Sequence, residues 1–176
     1  MSLQSIKQLF LVGFLGLALV GCSSAPKTAE VDTEAKQAAA EKVEQDIAAL
    51  QLAAAQALEA QKAELLASIQ GKVVHFDFDR SDVKSDDYQI IKGNADYMAL
   101  DGSLSVTVKG HADERGSREY NLALGERRAQ AVKNALIAEG VSPARITVVS
   151  YGEDTPVDEA HNETAWAKNR RVEFSY

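Results

Sequence analysis

Asp113 and Arg128 are the two residues whose types and spacing best suit ligand chemistry in this chain. They belong to a segment, Gly110 to Ala129, that reads Gly-His-Ala-Asp-Glu-Arg-Gly-Ser-Arg-Glu-Tyr-Asn-Leu-Ala-Leu-Gly-Glu-Arg-Arg-Ala. A carboxylate where a strand ends, and a guanidinium two turns inside the helix that follows, present fixed opposite charges to one cleft. Such a pair suits a small ligand carrying both an ammonium and a carboxylate, because each end takes a charge-assisted hydrogen bond. An amino-acid head group has that form. Asn121 and Leu124 share the helix face of Arg128 through three- and four-residue steps, so they join the candidate lining. Taken singly, an Asp after a strand is most often a turn former and a helical Arg a solvated charge. Glu114 is kept in the candidate set beside Arg115 and Arg127, although adjacent positions point in different directions and some of these must be plain surface charge.

The elements that must hold these residues follow from periodicity. Leu104, Val106 and Val108 alternate with Ser105, Thr107 and Lys109, the pattern of a half-buried strand that Gly110 ends. From about Ser117 the period changes, and Leu122, Gly125, Ala129, Val132 and Leu136 recur at helical spacing up to a stop at Gly140. Ser117 is the expected N-cap, with Tyr120 where a capping box would place Glu.

The wording of this segment resembles the signature of OmpA-like peptidoglycan-binding domains, and the resemblance covers about the last hundred residues, roughly one domain. It implies that Asp113 and Arg128 clasp the diaminopimelate of a cell-wall stem peptide, so the implied partner is peptidoglycan of the diaminopimelate type. It also carries over Phe78 and Asp79, from Asp77-Phe-Asp79, as neighbours of the ligand; the competing reading makes Phe76 and Phe78 both core residues. Asn169-Arg170-Arg171 matches a further family motif and reads as scaffold, with Arg170 or Arg171 pairing acids near the cleft. The implied fold is α+β, an OmpA-like layered sandwich with helices on one face of a mixed four-stranded sheet. The β-propeller protein of the Tol system is an alternative partner for the same cleft face, which would make the chain a component of envelope constriction.

The N-terminus gives an address. Lys7 precedes an apolar run from Leu9 to Val20, too short to span a bilayer and long enough for a secretory signal. It ends in Leu19-Val20-Gly21-Cys22, a lipobox, so residues 1–21 read as a lipoprotein signal peptide and Cys22 as the acylated N-terminus. Cys22 is the single cysteine, which excludes an internal disulfide or a cysteine metal cluster. Each buried methylene contributes about 0.8 kcal/mol, so three acyl chains hold essentially permanently. Ser23 stands where Asp would signal inner-membrane retention, and the expected location is the periplasmic face of the outer membrane.

Charge excludes one class of partner. Loss of Lys7 with the signal takes 19 basic residues to 18 against 26 acidic, a net charge of −8. With only 6% aromatic residues there is no stacking platform either, so no nucleic-acid role is expected. Residues 22–29 form a short polar tether. Residues 30–69 lack Gly and Pro and consist almost wholly of strong helix formers. Val43, Ile47, Leu50, Ala54, Leu58, Gln61, Leu65 and Ile69 form a seam whose steps average nearer 3.7 than 3.5 residues, so a long straight helix is expected rather than a firm zipper. At ~1.5 Å per residue it reaches on the order of 55 Å. An isolated helix, weak self-association and docking on its own domain are all compatible with its narrow, Ala-rich stripe. A helical spacer departs from the flexible tether typical of lipoproteins that carry this domain.

The domain itself, residues 70–176, opens with a strand from Lys72 to Phe78 and a helix from Ser85 to Leu100 with Tyr88, Ile91, Ala95 and Met98 inward. After the strand and helix already described come a short helical turn at Ser142-Pro143, a strand from Ile146 to Tyr151, a helix from Asn162 to Lys168 and a closing strand with Val172, Phe174 and Tyr176. The run Asp77-Phe-Asp79-Arg-Ser81-Asp82 lacks the turn glycine and closing Glu of a calcium loop, so no metal and no cofactor are expected. An enzyme is not expected either. His75, His111 and His161 lack metal-ligand spacing, Asp113 and Glu114 are neighbours rather than a spaced acid pair, and no serine sits in a nucleophile elbow. His111 is expected to fix the loop by hydrogen bonding.

Overall fold

The computed structural model describes residues 29–176, with side chains from residue 36 onward. The signal peptide, Cys22 and the tether up to residue 28 lie outside the described residues. The chain divides into two units, 1–48 and 49–176. Both contribute to the first helix, α1 (Ala29–Ile69). In the first unit the described side chains are exposed, Val43 and Ile47 included. In the second, Leu50, Leu52 and Leu58 are also exposed, and only the end of the helix docks. There Ile69 is buried at the backbone of Gly93, where a Cβ would stand 2.8 Å from its Cγ2, and Lys62 pairs with Asp101 at 3.2 Å. Gly71, at φ 73, takes the left-handed conformation that closes the helix, which glycine adopts without a Cβ penalty. No described helix is long and apolar enough to cross a membrane.

Seven further elements follow in alternation: β1 (Val74–His75), α2 (Tyr88–Leu100), β2 (Val106–His111), α3 (Arg118–Ala138), β3 (Ile146–Gly152), α4 (Glu163–Asn169) and β4 (Arg171–Ser175). The sheet is mixed, in the order β1-β4-β2-β3, with β2 and β3 parallel and β4 antiparallel to both β1 and β2. The core forms between this sheet and α2 and α3. Ile91, Ala95 and Met98 from α2 and Ala129, Val132 and Leu136 from α3 meet Val74, Val106, Val108, Ile146 and Val172 from the strands.

Local signals and outcome agree at most boundaries. The Ser117 hydroxyl caps α3 by accepting from the Tyr120 N–H at 3.2 Å, and the Asn162 side chain caps α4 by accepting from Ala165 at 3.0 Å. Ser142-Pro143 leads into one 3-10 turn, Pro143–Arg145. Three expectations change. The first strand shrinks to Val74–His75, because the chain turns at Gly71 on one side and leaves the sheet after Phe76, whose N–H still donates to the Arg170 carbonyl at 2.9 Å. Ser85–Asp87 is a 3-10 turn before α2, which leaves Tyr88 47% exposed rather than inward. Strand β2 continues through Gly110 to His111, with an irregularity between these two residues that turns the chain into the Asp113 loop.

Candidate binding cleft

The site is built where β2 meets α3, and two glycines allow that approach. A Cβ on Gly110 would fall inside the Gly125 carbonyl, and one on Gly125 would strike the Ser150 hydroxyl and stand 2.9 Å from the Gly110 oxygen. The pair lets helix and strand backbones touch, which sets α3 directly beside the loop after β2. The helix face that follows, Asn121, Leu124 and Arg128, is buried along this contact. Ala112 N–H donates to the Gly152 carbonyl at 2.8 Å, tying the loop's start to β3.

A cleft of about 220 Å³ opens there, lined by Phe78, Asp79, Asp113, Arg115, Gly116, Tyr120, Asn121 and Leu124. Six of the residues singled out from sequence, Phe78, Asp79, Asp113, Arg115, Asn121 and Leu124, therefore meet at one place. Phe78 is 55% exposed and walls the cleft, while Phe76 is in the core, so the two alternate positions do not share a fate. Asp79 adopts φ 56, a left-handed conformation uncommon for residues other than glycine but tolerated by Asp, and its carboxylate accepts from the Tyr120 hydroxyl. The Asn121 amide bridges the Arg115 carbonyl, at 3.2 Å, and the Glu153 carboxylate.

Asp113 is only 4% exposed. Its Oδ1 accepts from the Arg115 backbone N–H at 3.1 Å and from Arg115 Nε at 3.2 Å; its Oδ2 accepts from Arg115 Nη2 at 2.7 Å and Arg170 Nη1 at 3.1 Å. Burial pushes its carboxyl upward, but these donors outweigh burial and hold it below the usual carboxylate value. Arg170 is itself fixed, with Nε donating to the Phe76 carbonyl at 3.0 Å and Nη2 to Glu163 at 2.7 Å.

Arg128 lies beneath the cleft rather than on its wall. It is fully buried, and its guanidinium donates to three main-chain carbonyls: Arg80 and His111 at 2.8 Å and Asp77 at 3.0 Å. Burial lowers it to about 10, against the opposing pull of Asp113, so it remains a cation. These bonds pin the loop carrying Phe78 and Asp79 to the end of β2, and Arg128 thereby shapes the cleft. The expectation that it faces the lumen is corrected to a place behind the lining, since main-chain carbonyls satisfy it there. Glu114 also turns away. It accepts from Trp166 Nε1 at 2.7 Å and lies 2.7 Å from His161 Nδ1, partners that hold its carboxyl below the ordinary range, and it lines a neighbouring hollow with Glu153 and Asp158 instead. His111 does fix the loop. Its Nδ1 lies 3.0 Å from Thr155 Oγ1, its ring stacks on Tyr151, and its carbonyl receives Arg128.

Three participants were underrated or missed by sequence reasoning, Arg115, Tyr120 and Trp166, whereas Arg170 pairs acids beside the cleft as expected. Arg115 looks like a surface charge from its loop position, yet it covers Asp113. Trp166 is the only tryptophan in the chain, a compositional signal that would have justified attention. A larger hollow of about 760 Å³ lies between the end of α1 and β4, and it shares no lining residue with the cleft.

Comparison with known proteins gives a consistent result. The profile of the OmpA family matches residues 75–170. The peptidoglycan-associated lipoprotein of Pseudomonas aeruginosa is 48% identical over 100 residues, which are 57% of this chain and 59% of that relative. The one from Haemophilus influenzae is 44% identical over 103 residues, 58% of this chain and 67% of the relative. The crystal structure of the peptidoglycan-associated lipoprotein from Burkholderia pseudomallei superposes with a TM-score of 0.59 at 40% identity, covering 60% of this chain and 89% of that one. The match thus spans about three fifths of the length of the Pseudomonas relative.

Proposed function

Because the chain belongs to the OmpA family, we propose that its domain binds peptidoglycan non-covalently and tethers a lipid-anchored protein of the outer membrane to the cell wall. The observation that carries the reading is the ionised, nearly buried Asp113 in a cleft walled by Phe78, Tyr120 and Leu124, with the cation Arg128 fully buried behind the lining and within electrostatic reach of Asp113. In this reading Asp113 receives the ammonium at the free end of a diaminopimelate side chain. Arg128, which uses three of a guanidinium's five N–H groups on carbonyls, provides the field and remaining donors for the neighbouring carboxylate. Asn121 and the Gly116 backbone orient the stem peptide, and Phe78 covers its apolar part. Named relatives support this reading, since they are peptidoglycan-associated lipoproteins.

The anchor in this reading is Cys22, exposed by removal of residues 1–21, with residues 30–69 as a helical spacer to the binding domain at 70–176. The test is co-sedimentation of the detergent-solubilised full chain with purified sacculi. Asp113→Ala should cost about 2 to 5 kcal/mol of binding, more than a tenfold loss. Folded Asp113→Ala that sediments like wild type removes the site assignment, and wild type that stays in solution removes the function. Walls of the Lys type, whose stem lacks the second carboxylate, should bind more weakly.

A further inference from the structure

The seat that the cleft offers to an ammonium is already filled by the chain itself. The Arg115 guanidinium grips both Asp113 oxygens, through Nη2 at 2.7 Å and Nε at 3.2 Å. Its central carbon lies 4.0 Å from the centre of the Phe78 ring and 4.2 Å from that of Trp166. A carboxylate below and an aromatic face on each side make a complete cation slot, because ring quadrupoles favour positive charge over their faces. Arg170, the other cation on Asp113, is 7% exposed and tied to the Phe76 carbonyl and Glu163, so it belongs to the frame. Arg115 differs. It is 30% exposed, sits on the loop two residues after Asp113, and also reaches outward to the exposed Glu163 carboxylate at 3.3 Å, a second partner that could keep it once Asp113 lets go.

We propose that Arg115 is a displaceable internal occupant of the ammonium seat, which a ligand's cation must expel before Asp113 can bind it. This rests on the reading of Asp113 as the ammonium acceptor given above. It makes Arg115 a specificity-determining residue by exclusion. A ligand with a neutral group cannot replace the charge that Asp113 surrenders when Arg115 leaves, whereas an ammonium can. Affinity for the cationic ligand is correspondingly reduced by the fraction of molecules whose seat is closed. Arg115 is thus expected to weaken the binding of the right ligand while weakening that of wrong ones more.

The experiment measures binding of a diaminopimelate-containing muropeptide, and of the same muropeptide with its side-chain amine acetylated, to the detergent-solubilised full chain by titration calorimetry. Wild type, Arg115→Gln, Arg115→Lys and Asp113→Asn are compared, with folding checked by circular dichroism. Arg115→Gln should bind the free-amine muropeptide about tenfold tighter than wild type and discriminate less against the acetylated one. Arg115→Lys, which loses the two-pronged grip but keeps a charge, should move in the same direction by less, and it preserves the test if Arg115→Gln unfolds. Unchanged or weaker binding by the Arg115 variants, with Asp113→Asn inactive, overturns the proposal and leaves the cleft reading intact. Asp113→Asn binding like wild type overturns the cleft reading itself, and the occupant role with it.

Discussion

Replacing Arg128 by methionine tests whether the cleft is held from behind its lining as the geometry indicates. The substitution keeps an unbranched apolar stem that can still pack near Phe76, whose ring centre lies 5.3 Å from the guanidinium carbon, and removes the charged head. Three carbonyls, those of Asp77, Arg80 and His111, lose their donor. A hydrogen bond to a charged group contributes about 1.5 to 3 kcal/mol net, so a simple sum for three would exceed 4 kcal/mol. The loop 77–80 carries exposed residues, and its two carbonyls can recover water once it loosens, which leaves the His111 carbonyl as the main orphan. The expected loss of stability is therefore about 3 to 5 kcal/mol, a large share of the ~5 to 15 kcal/mol typical of a domain. Arg128→Lys, which keeps the charge but cannot aim donors at three separate carbonyls, should lose about half as much. Urea unfolding followed by circular dichroism reads both, and sacculus sedimentation of whatever fraction stays folded reads the cleft. An unfolding midpoint for Arg128→Met equal to that of wild type would refute the claim that this arginine joins the loop to β2.

Other consequences can be checked more briefly. Gly110→Ala should destabilise the domain by at least about 3 kcal/mol, as judged by thermal melting, because its Cβ would overlap the rigid Gly125 backbone rather than a side chain that can turn aside. His111, held neutral by burial and then by the Arg171 charge, titrates at about 4 against 6.5 when unperturbed. The unfolded chain takes up this proton first, so stability should fall as pH drops from about 6.5 toward 4, by at most about 2 kcal/mol between about pH 7 and 5, and His111→Gln should flatten that part of the urea-midpoint profile. Ser117→Ala removes the cap on the Tyr120 N–H and should cost about 1 kcal/mol in the same unfolding assay. Cys22→Ser should abolish incorporation of labelled fatty acid and leave unprocessed precursor, and a wild-type chain that takes up no label would contradict the anchor.

What could be read without coordinates was whatever a short stretch of chain decides for itself. Alternation from Leu104 to Val108 pointed to a strand, which the sheet takes up from Val106, the shift of period at Ser117 gave a capped helix, and the face shared by Asn121, Leu124 and Arg128 followed from helical spacing. The placement of Asp113 beside that face was also legible, because strand, loop and helix are contiguous, whereas the backbone contact that Gly110 and Gly125 permit came only from the fold. The tertiary structure alone decided who satisfies each charge. Arg170 reaches Asp113 across 57 residues of sequence, Arg115 folds back over it, and Arg128 spends its donors on carbonyls of Asp77 and Arg80 about fifty positions away. A carbonyl has no side-chain signature, so nothing in the residue pattern distinguishes an arginine destined to sit behind the lining of a cleft from one that lines it. Burial and partner choice are set by which distant loops the packed sheet brings together, and that depends on the β1-β4-β2-β3 order, a property of the whole fold rather than of any segment.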